Sequence, residues 1–314
     1  MKKLWLISLI LVTSLADAST YLEAKQAPAY YRIKIGKLLV TAVSDGTVNV
    51  PFDNLLTNIS KHSIVSDLNS VFLPPSVETS INAFVVDDGE KQVLIDSGAG
   101  RLFGDAGGHI VDNLSAAGYP AESIDTVLLT HIHADHSGGI SSNGNLVFPN
   151  ANVYVDKHDS DFWLNKNNIE FVSKDQRHTF QDTENTVGPV AKAGRLISFQ
   201  SPTELFSGIE AIPAPGHTPG SVIYKVSSEG ESILFIGDIV HIDHIQLPNP
   251  NVAIHFDVNQ KDAIKTREKI LQDVARERDL IASAHISFPG FGHIKKEESG
   301  YRWLPLNYSK DLKN

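Results

Sequence analysis

The apolar run TVLL, residues 126–129, is followed at once by THIHADHSGG, which sets His131, His133, Asp135 and His136 within six residues. A short apolar run of this kind reads as a buried strand. The polar cluster therefore begins where the strand ends, in a loop at a sheet edge. Such a loop is either a histidine-rich turn facing solvent or one part of a metal site. Partners from elsewhere in the chain decide between these, because a single cluster seldom completes a coordination shell.

Four candidate partners share the same placement. His217 in PAPGHTPGS, Asp238 in LFIGDIV, His285 in IASAHIS and Asp96 in VLIDSGAG each follow an apolar run. Loops at one edge of a sheet converge in space, so residues far apart in sequence can meet there. The chain has no cysteine, which removes disulfides and thiolate ligands and leaves nitrogen and oxygen donors only. Five imidazoles and two carboxylates suit two adjacent divalent ions, zinc by default, with manganese, iron or cobalt also compatible. One metal would need only three of the four donors in HIHADH. The surplus points to a binuclear site, with Asp238 best placed to bridge. His109, His158, His178 and His255 read as solvated single residues, and His241 and His244 in VHIDHIQ are further polar groups with no assigned role.

Apolar and polar residues alternate from Tyr30 to about Val50 around Gly36-Lys37, the pattern of a hairpin, and INAFVVDDGEKQVLID repeats it around Asp88-Gly89. Ile110, Val111, Leu114 and Ala117 mark one helix face, which Gly118 ends. NVYV is a strand, with Asp156 capping a helix through Trp163. A polar stretch from Asn165 to about Val187 is expected to be helical in part. GIEAIPA, SVIYKVSS, SILFIGD and LIASAH are strands, and Ile264, Ile270, Leu271 and Val274 share a helix face. Strands followed by helices in two similar halves predict two packed sheets with helices outside, in a single catalytic domain over 19–314.

The first eighteen residues, MKKLWLISLILVTSLADA, have two lysines, an apolar run from Leu4 to Ala16 and a small-x-small ending. This is the pattern of a secretory leader cut after Ala18, and the run is shorter than the roughly 20 residues that span a bilayer. The expectation is an exported protein, periplasmic or secreted, without a stable membrane anchor. A net charge of -10 argues against nucleic acid as a partner.

THIHADH, PGHTPG, GD and a late histidine after a strand together resemble the metallo-β-lactamase superfamily. The resemblance implies an α/β fold, an αββα sandwich of two mixed sheets flanked by helices. On the family's scheme His131, His133 and His217 hold one metal, Asp135, His136 and His285 the second, and Asp238 bridges. Asp96 resembles the aspartate that orients a ligand histidine. Within the superfamily the chain is most similar to methyl parathion hydrolases and their relatives, from YYRIKIG through AVSDGTVNVP, ETSINAFVV and GAGRLFG to AHISFPGFGHI and GYRWLPLNY. That likeness implies an aromatic pocket of Phe103, Trp163 and Phe180, and a homodimer. A departure is Ser221, where many relatives carry a second histidine, and it bears on substrate range.

The chemistry implied is hydrolysis of neutral small molecules, namely esters, lactones or organophosphate triesters, by a hydroxide bridging the two ions, with Asp238 and Asp135 as catalytic carboxylates. A β-lactam hydrolase of the same fold is the principal alternative. A diiron oxygen or nitric oxide reductase would want a glutamate where Ala134 stands. A non-catalytic metal-binding protein would be expected to lack some of the seven donors, and a nuclease would prefer a basic surface.

Overall fold

The computed structural model describes residues 26–312; the expected leader lies outside them. Fourteen strands make two seven-stranded sheets. The first holds β1 (Tyr30–Ile35), β2 (Leu38–Pro51), β3 (Ser76–Asp87), β4 (Gln92–Ile95), β5 (Thr126–Leu128), β6 (Asn152–Asp156) and β7 (Leu196–Phe199) in chain order. Its first four strands pair antiparallel and its last four parallel, β4 belonging to both sets. The second holds β8 (Thr203–Phe206), β9 (Ile209–Pro213), β10 (Val222–Ser228), β11 (Glu231–Phe235), β12 (Leu280–Ala282), β13 (Phe291–Lys296) and β14 (Tyr301–Pro305), also in order. Within it only β11 and β12 run parallel.

The period of two along each strand sorts side chains into layers. Phe84 and Val86 of β3 enter a core between the sheets, where they meet Tyr224 and Val226 of β10 and Phe235 of β11. Their neighbours Ala83 and Val85 face the other way, onto helices α2 (Ile110–Ala116), α3 (Lys157–Trp163) and α4 (His178–Lys192). On the far side Ile223, Leu234 and Ile281 meet Ile270, Leu271 and Val274 of α5 (Gln260–Glu277). The result is the four-layer αββα sandwich. A further helix, α1 (Lys61–Ser70), begins at Ser60, whose hydroxyl accepts from the Ser63 amide at 3.0 Å. It buries Ile64 and Leu68 against Phe52, Ile242 and Ile245. Among the described residues no helix is long and apolar enough to cross a membrane.

The hairpins, capped helix and strands expected from the sequence are present, with differences where the pattern is weak. Helix α4 runs beyond Val187 to Lys192, preceded by two short 3-10 turns over 166–171 and 174–176. Its inner face mixes Thr179, Thr183 and Thr186 with Phe180, Val187 and Val190, which dilutes the apolar periodicity. Helix α1 and the C-terminal pair β13–β14 have equally mixed faces.

All the parallel strands point their C-terminal ends at one edge, and the histidine-rich loop leaves from there. It packs against the loop that follows β4: a Cβ added at Gly139 would sit 2.0 Å from the carbonyl oxygen of Ser97. Gly139→Ala must therefore push apart two buried backbones. A loss of about 1–3 kcal/mol is expected, read as a lower midpoint in chemical unfolding; an unchanged midpoint would show that the close approach is not needed.

Candidate metal centre

β4 ends in Asp96, whose φ of 57° is left-handed, a conformation an aspartate tolerates better than most residues. That backbone turns its carboxylate across to the next strand. The Thr130 amide donates to Asp96 Oδ1 at 2.8 Å, and the Thr130 hydroxyl donates to Oδ2 at 2.9 Å. His136 Nδ1 lies 2.9 Å from the same Oδ2. The start of the loop and the ring of His136 are thus held by one buried side chain. A single helical turn, Ala134–Ser137, then places Asp135 and His136.

The seven candidate ligands come together in two groups. Donor atoms of His131, His133, His217 and Asp238 all lie within 4.8 Å of one another, and so do those of Asp135, His136 and His285. Asp238 divides its oxygens between them. Oδ2 is 3.2 Å from His217 Nε2 and 3.8 Å from His131 Nε2. Oδ1 is 3.0 Å from His136 Nε2 and 3.1 Å from His285 Nε2. Asp135 Oδ2 stands 3.4 Å from His285 Nε2.

These atoms fit cations better than they fit each other. His131 Nε2, His136 Nε2 and Asp238 Oδ1 are buried without a hydrogen bond of acceptable geometry. An unmet buried polar atom costs about 1–3 kcal/mol, so several at one point imply a further ligand. Buried imidazole nitrogens and carboxylate oxygens with no sulfur form a donor set suited to zinc and its neighbours.

Residues 77–285 match the family model of the metallo-beta-lactamase superfamily. The chain belongs to that superfamily. Among solved structures, AbOPH, a hydrolase of the beta-lactamase superfamily, superposes with a TM-score of 0.86 at 36% identity, covering 91% of this chain and 100% of its own. AidC, a dizinc quorum-quenching lactonase solved with a product, N-hexanoyl-L-homoserine, gives 0.84 at 26% identity, covering 90% and 99%. Over 160 residues the chain is 31% identical to YobT of Bacillus subtilis (strain 168), matching 49% of this chain and 60% of that protein. It is 28% identical to the atrochrysone carboxyl ACP thioesterase of Passalora fulva, over 51% of this chain and 38% of the thioesterase. The matches span less than two thirds of either curated relative. As a member of this superfamily, the protein is a metal-dependent hydrolase, and its donors form two groups where a dizinc relative carries two ions.

Further groups around this superfamily site carry no local sequence signal. His217 Nδ1 is 2.9 Å from Asp257 Oδ1, and Asp257 is itself buried beside Arg267. His285 Nδ1 donates to the Ser80 carbonyl at 3.0 Å. Asp45 takes the amides of Ala99, Gly108 and Ile110 at 2.8–3.0 Å and so holds the loop that carries Phe103. Asp257 lies in an irregular segment and Asp45 within a strand; neither sits at the end of an apolar run, the mark that exposed the other candidates.

A cavity of about 410 Å³ opens over the ligands. Val48, Val50, Phe52, Leu55, Phe103 and Phe256 form its apolar wall. Phe103 stands where the sequence placed it. Trp163 and Phe180 do not line this cavity: they pack ring to ring at 5.0 Å in the helix-side core, Trp163 lying under the His133 ring at 5.5 Å. The physical reason is that both occupy inward faces of α3 and α4. His241 is buried and lines the cavity, its Nε2 3.1 Å from Asp238 Oδ2 and both ring nitrogens without a hydrogen bond. The exposed rings of His178 and His255, expected to be merely solvated, stand at its rim, whereas exposed His244 lies outside it.

In the metal-free site, burial pushes His131 and His133 well below 6.5. Burial opposes charge on His136 too, but Asp238, Asp96 and Asp135 outweigh it and raise its pKa well above 6.5. For His217, burial is outweighed by Asp238 and Asp257, and the pKa rises to about 9. Raised in this way, His217 stabilises the metal-free fold fully below about pH 6.5, and that contribution fades as pH passes about 9. Ions entering at pH 7 must displace the protons on His136 and His217. Titration calorimetry of chelator-stripped protein should show proton release as a dependence of heat on buffer ionisation enthalpy; no dependence would contradict this charge pattern.

Proposed function

We propose that this protein is a binuclear hydrolase of neutral esters, lactones or organophosphate triesters, with an ester or lactone as its physiological substrate and zinc as its resident metal. The observation that carries the reading is the division of the Asp238 oxygens between two imidazole groups, at the floor of an apolar-walled cavity. The likeness to the dizinc lactonase AidC supports a lactone. The resemblance to methyl parathion hydrolases read from the sequence is the ground for extending the range to organophosphate triesters. Manganese, iron or cobalt would suit the same donors.

When bound, the two ions supply an activated water and a charge sink for the oxygen on which negative charge develops. The chain supplies the rest. Asp238, held well below the usual carboxylate range by its imidazole neighbours against the pull of burial, brings a fixed negative charge. His131 and His133, neutral through burial, offer free lone pairs. Asp135 is the more exposed of the two ligand carboxylates at the cavity, with 19% of its side chain exposed against 5% for Asp238. From there the Asp135 carboxylate takes the proton released on attack and returns it to the leaving oxygen. The wall of Val48, Val50, Phe52, Leu55, Phe103 and Phe256 grips an acyl chain or aryl group and excludes water. Asp175 is a third carboxylate at the cavity, beside Asp135 and Asp238, so the lining favours a neutral substrate over an anionic one. Export, from the Leu4–Ala16 run, and homodimer assembly belong to the same proposal.

The test is a panel of aryl ester, acyl-homoserine lactone, methyl paraoxon and nitrocefin, each with and without chelator, on wild type and Asp238→Asn. Chelator-sensitive turnover of the ester or lactone is expected, falling at least about 100-fold in the variant. Turnover of nitrocefin alone, or full activity of Asp238→Asn, would overturn the reading.

A further inference from the structure

Asp159 is fully buried in the first turn of α3, and among the described residues its carboxylate faces no lysine or arginine. Instead it accepts two backbone hydrogen bonds of 2.7 Å from different loops. Oδ2 takes the amide of Ile132, the residue between His131 and His133. Oδ1 takes the amide of Gly220, three residues beyond His217. Contact at Gly220 is close: an added Cβ would lie 2.3 Å from the Asp159 amide nitrogen. One turn further along the same helix face, Trp163 packs edge-to-face on the His133 ring. Helix α3 thus grips both loops that supply His131, His133 and His217, by a carboxylate at one point and a ring at the next.

The other group of ligands is anchored by different means. His136 is held by Asp96 and His285 by the Ser80 carbonyl, and neither anchor involves α3. We propose that Asp159 is a positioning residue that sets metal occupancy of the three-histidine subsite, by stapling the His131–His133 loop to the His217 loop. The proposal rests on the binuclear reading of the site. Three imidazoles from two loops form a pre-arranged site only if the loops keep their spacing, and a ligand that must be re-ordered binds more weakly. A carboxylate suits this role because it presents two acceptors. An asparagine presents one, and its amide group would face the second N–H.

The fold has reason to survive the change, since the Val222 amide still donates to the Thr130 carbonyl at 2.9 Å and ties the same two loops. The experiment loads wild type and Asp159→Asn with zinc and titrates each with a chelator, following zinc per chain by elemental analysis and folding by thermal denaturation. A parallel series with cobalt(II) follows the visible bands of each site. In the variant, one metal per chain should leave at about 10- to 100-fold lower chelator, while the second leaves at the wild-type midpoint. Loss of both metals together, or of neither, would overturn the proposal. Should Asp159→Asn fail to fold, Asp159→Ser is put through the same titration, and the same results support or overturn the proposal. Wild type that holds fewer than two metals would instead defeat the binuclear reading itself, so the two failures are distinguishable.

Discussion

Asp238 is a buried carboxylate enclosed by His131, His136, His217, His241 and His285. An unpaired charge in such surroundings costs several kcal/mol. In the absence of ions, protons on His136 and His217 offset that charge, while burial keeps His131 and His133 neutral. Metal ions take over the role of those protons, and the rest of the structure is the scaffold that keeps the donors in place. The sheet edge, the left-handed Asp96, the loop pressed on Ser97 and the helix α3 each limit how far the ligands can relax towards one another.

The sandwich makes that scaffold stiff. Ligands arrive from both sheets: the THIHADH loop follows β5, and Asp238 and His285 follow β11 and β12. Their relative positions depend on the core between the sheets, in which Phe84, Phe235 and Phe291 meet at 5.2–5.6 Å between ring centres. A packed core of this kind does not deform smoothly, so the two metal subsites inherit a fixed separation. The cavity above them is built differently. Its wall comes from the end of β2, the segment after it, the 97–110 loop and the segment around Phe256, parts that carry none of the seven donors. Chemistry is assigned to the rigid edge and substrate choice to the loops.

Much of this was legible residue by residue. His131, His133, Asp135 and His136 announce themselves by density, and His217, Asp238, His285 and Asp96 by following apolar runs. The apolar run before Asp88-Gly89 marks β3 as one strand of a hairpin. Three features were illegible for one reason: they depend on contacts across long stretches of chain. Asp257 and Asp159 look like ordinary polar residues until the fold sets them against His217 and Ile132. Trp163 and Phe180 look like pocket aromatics until helix packing turns them inward. His241 has no assignable role until the fold buries it beside Asp238 at the cavity.

By itself, then, the amino-acid order determined which side chains can act as ligands and that they lie at strand ends, because burial periodicity and turn chemistry are local properties. The tertiary structure decided how seven donors split into two groups, which Asp238 oxygen serves each, and which aromatics face substrate. Those are distances between residues up to about two hundred positions apart in the chain, and only the packing of two sheets and their helices sets such distances.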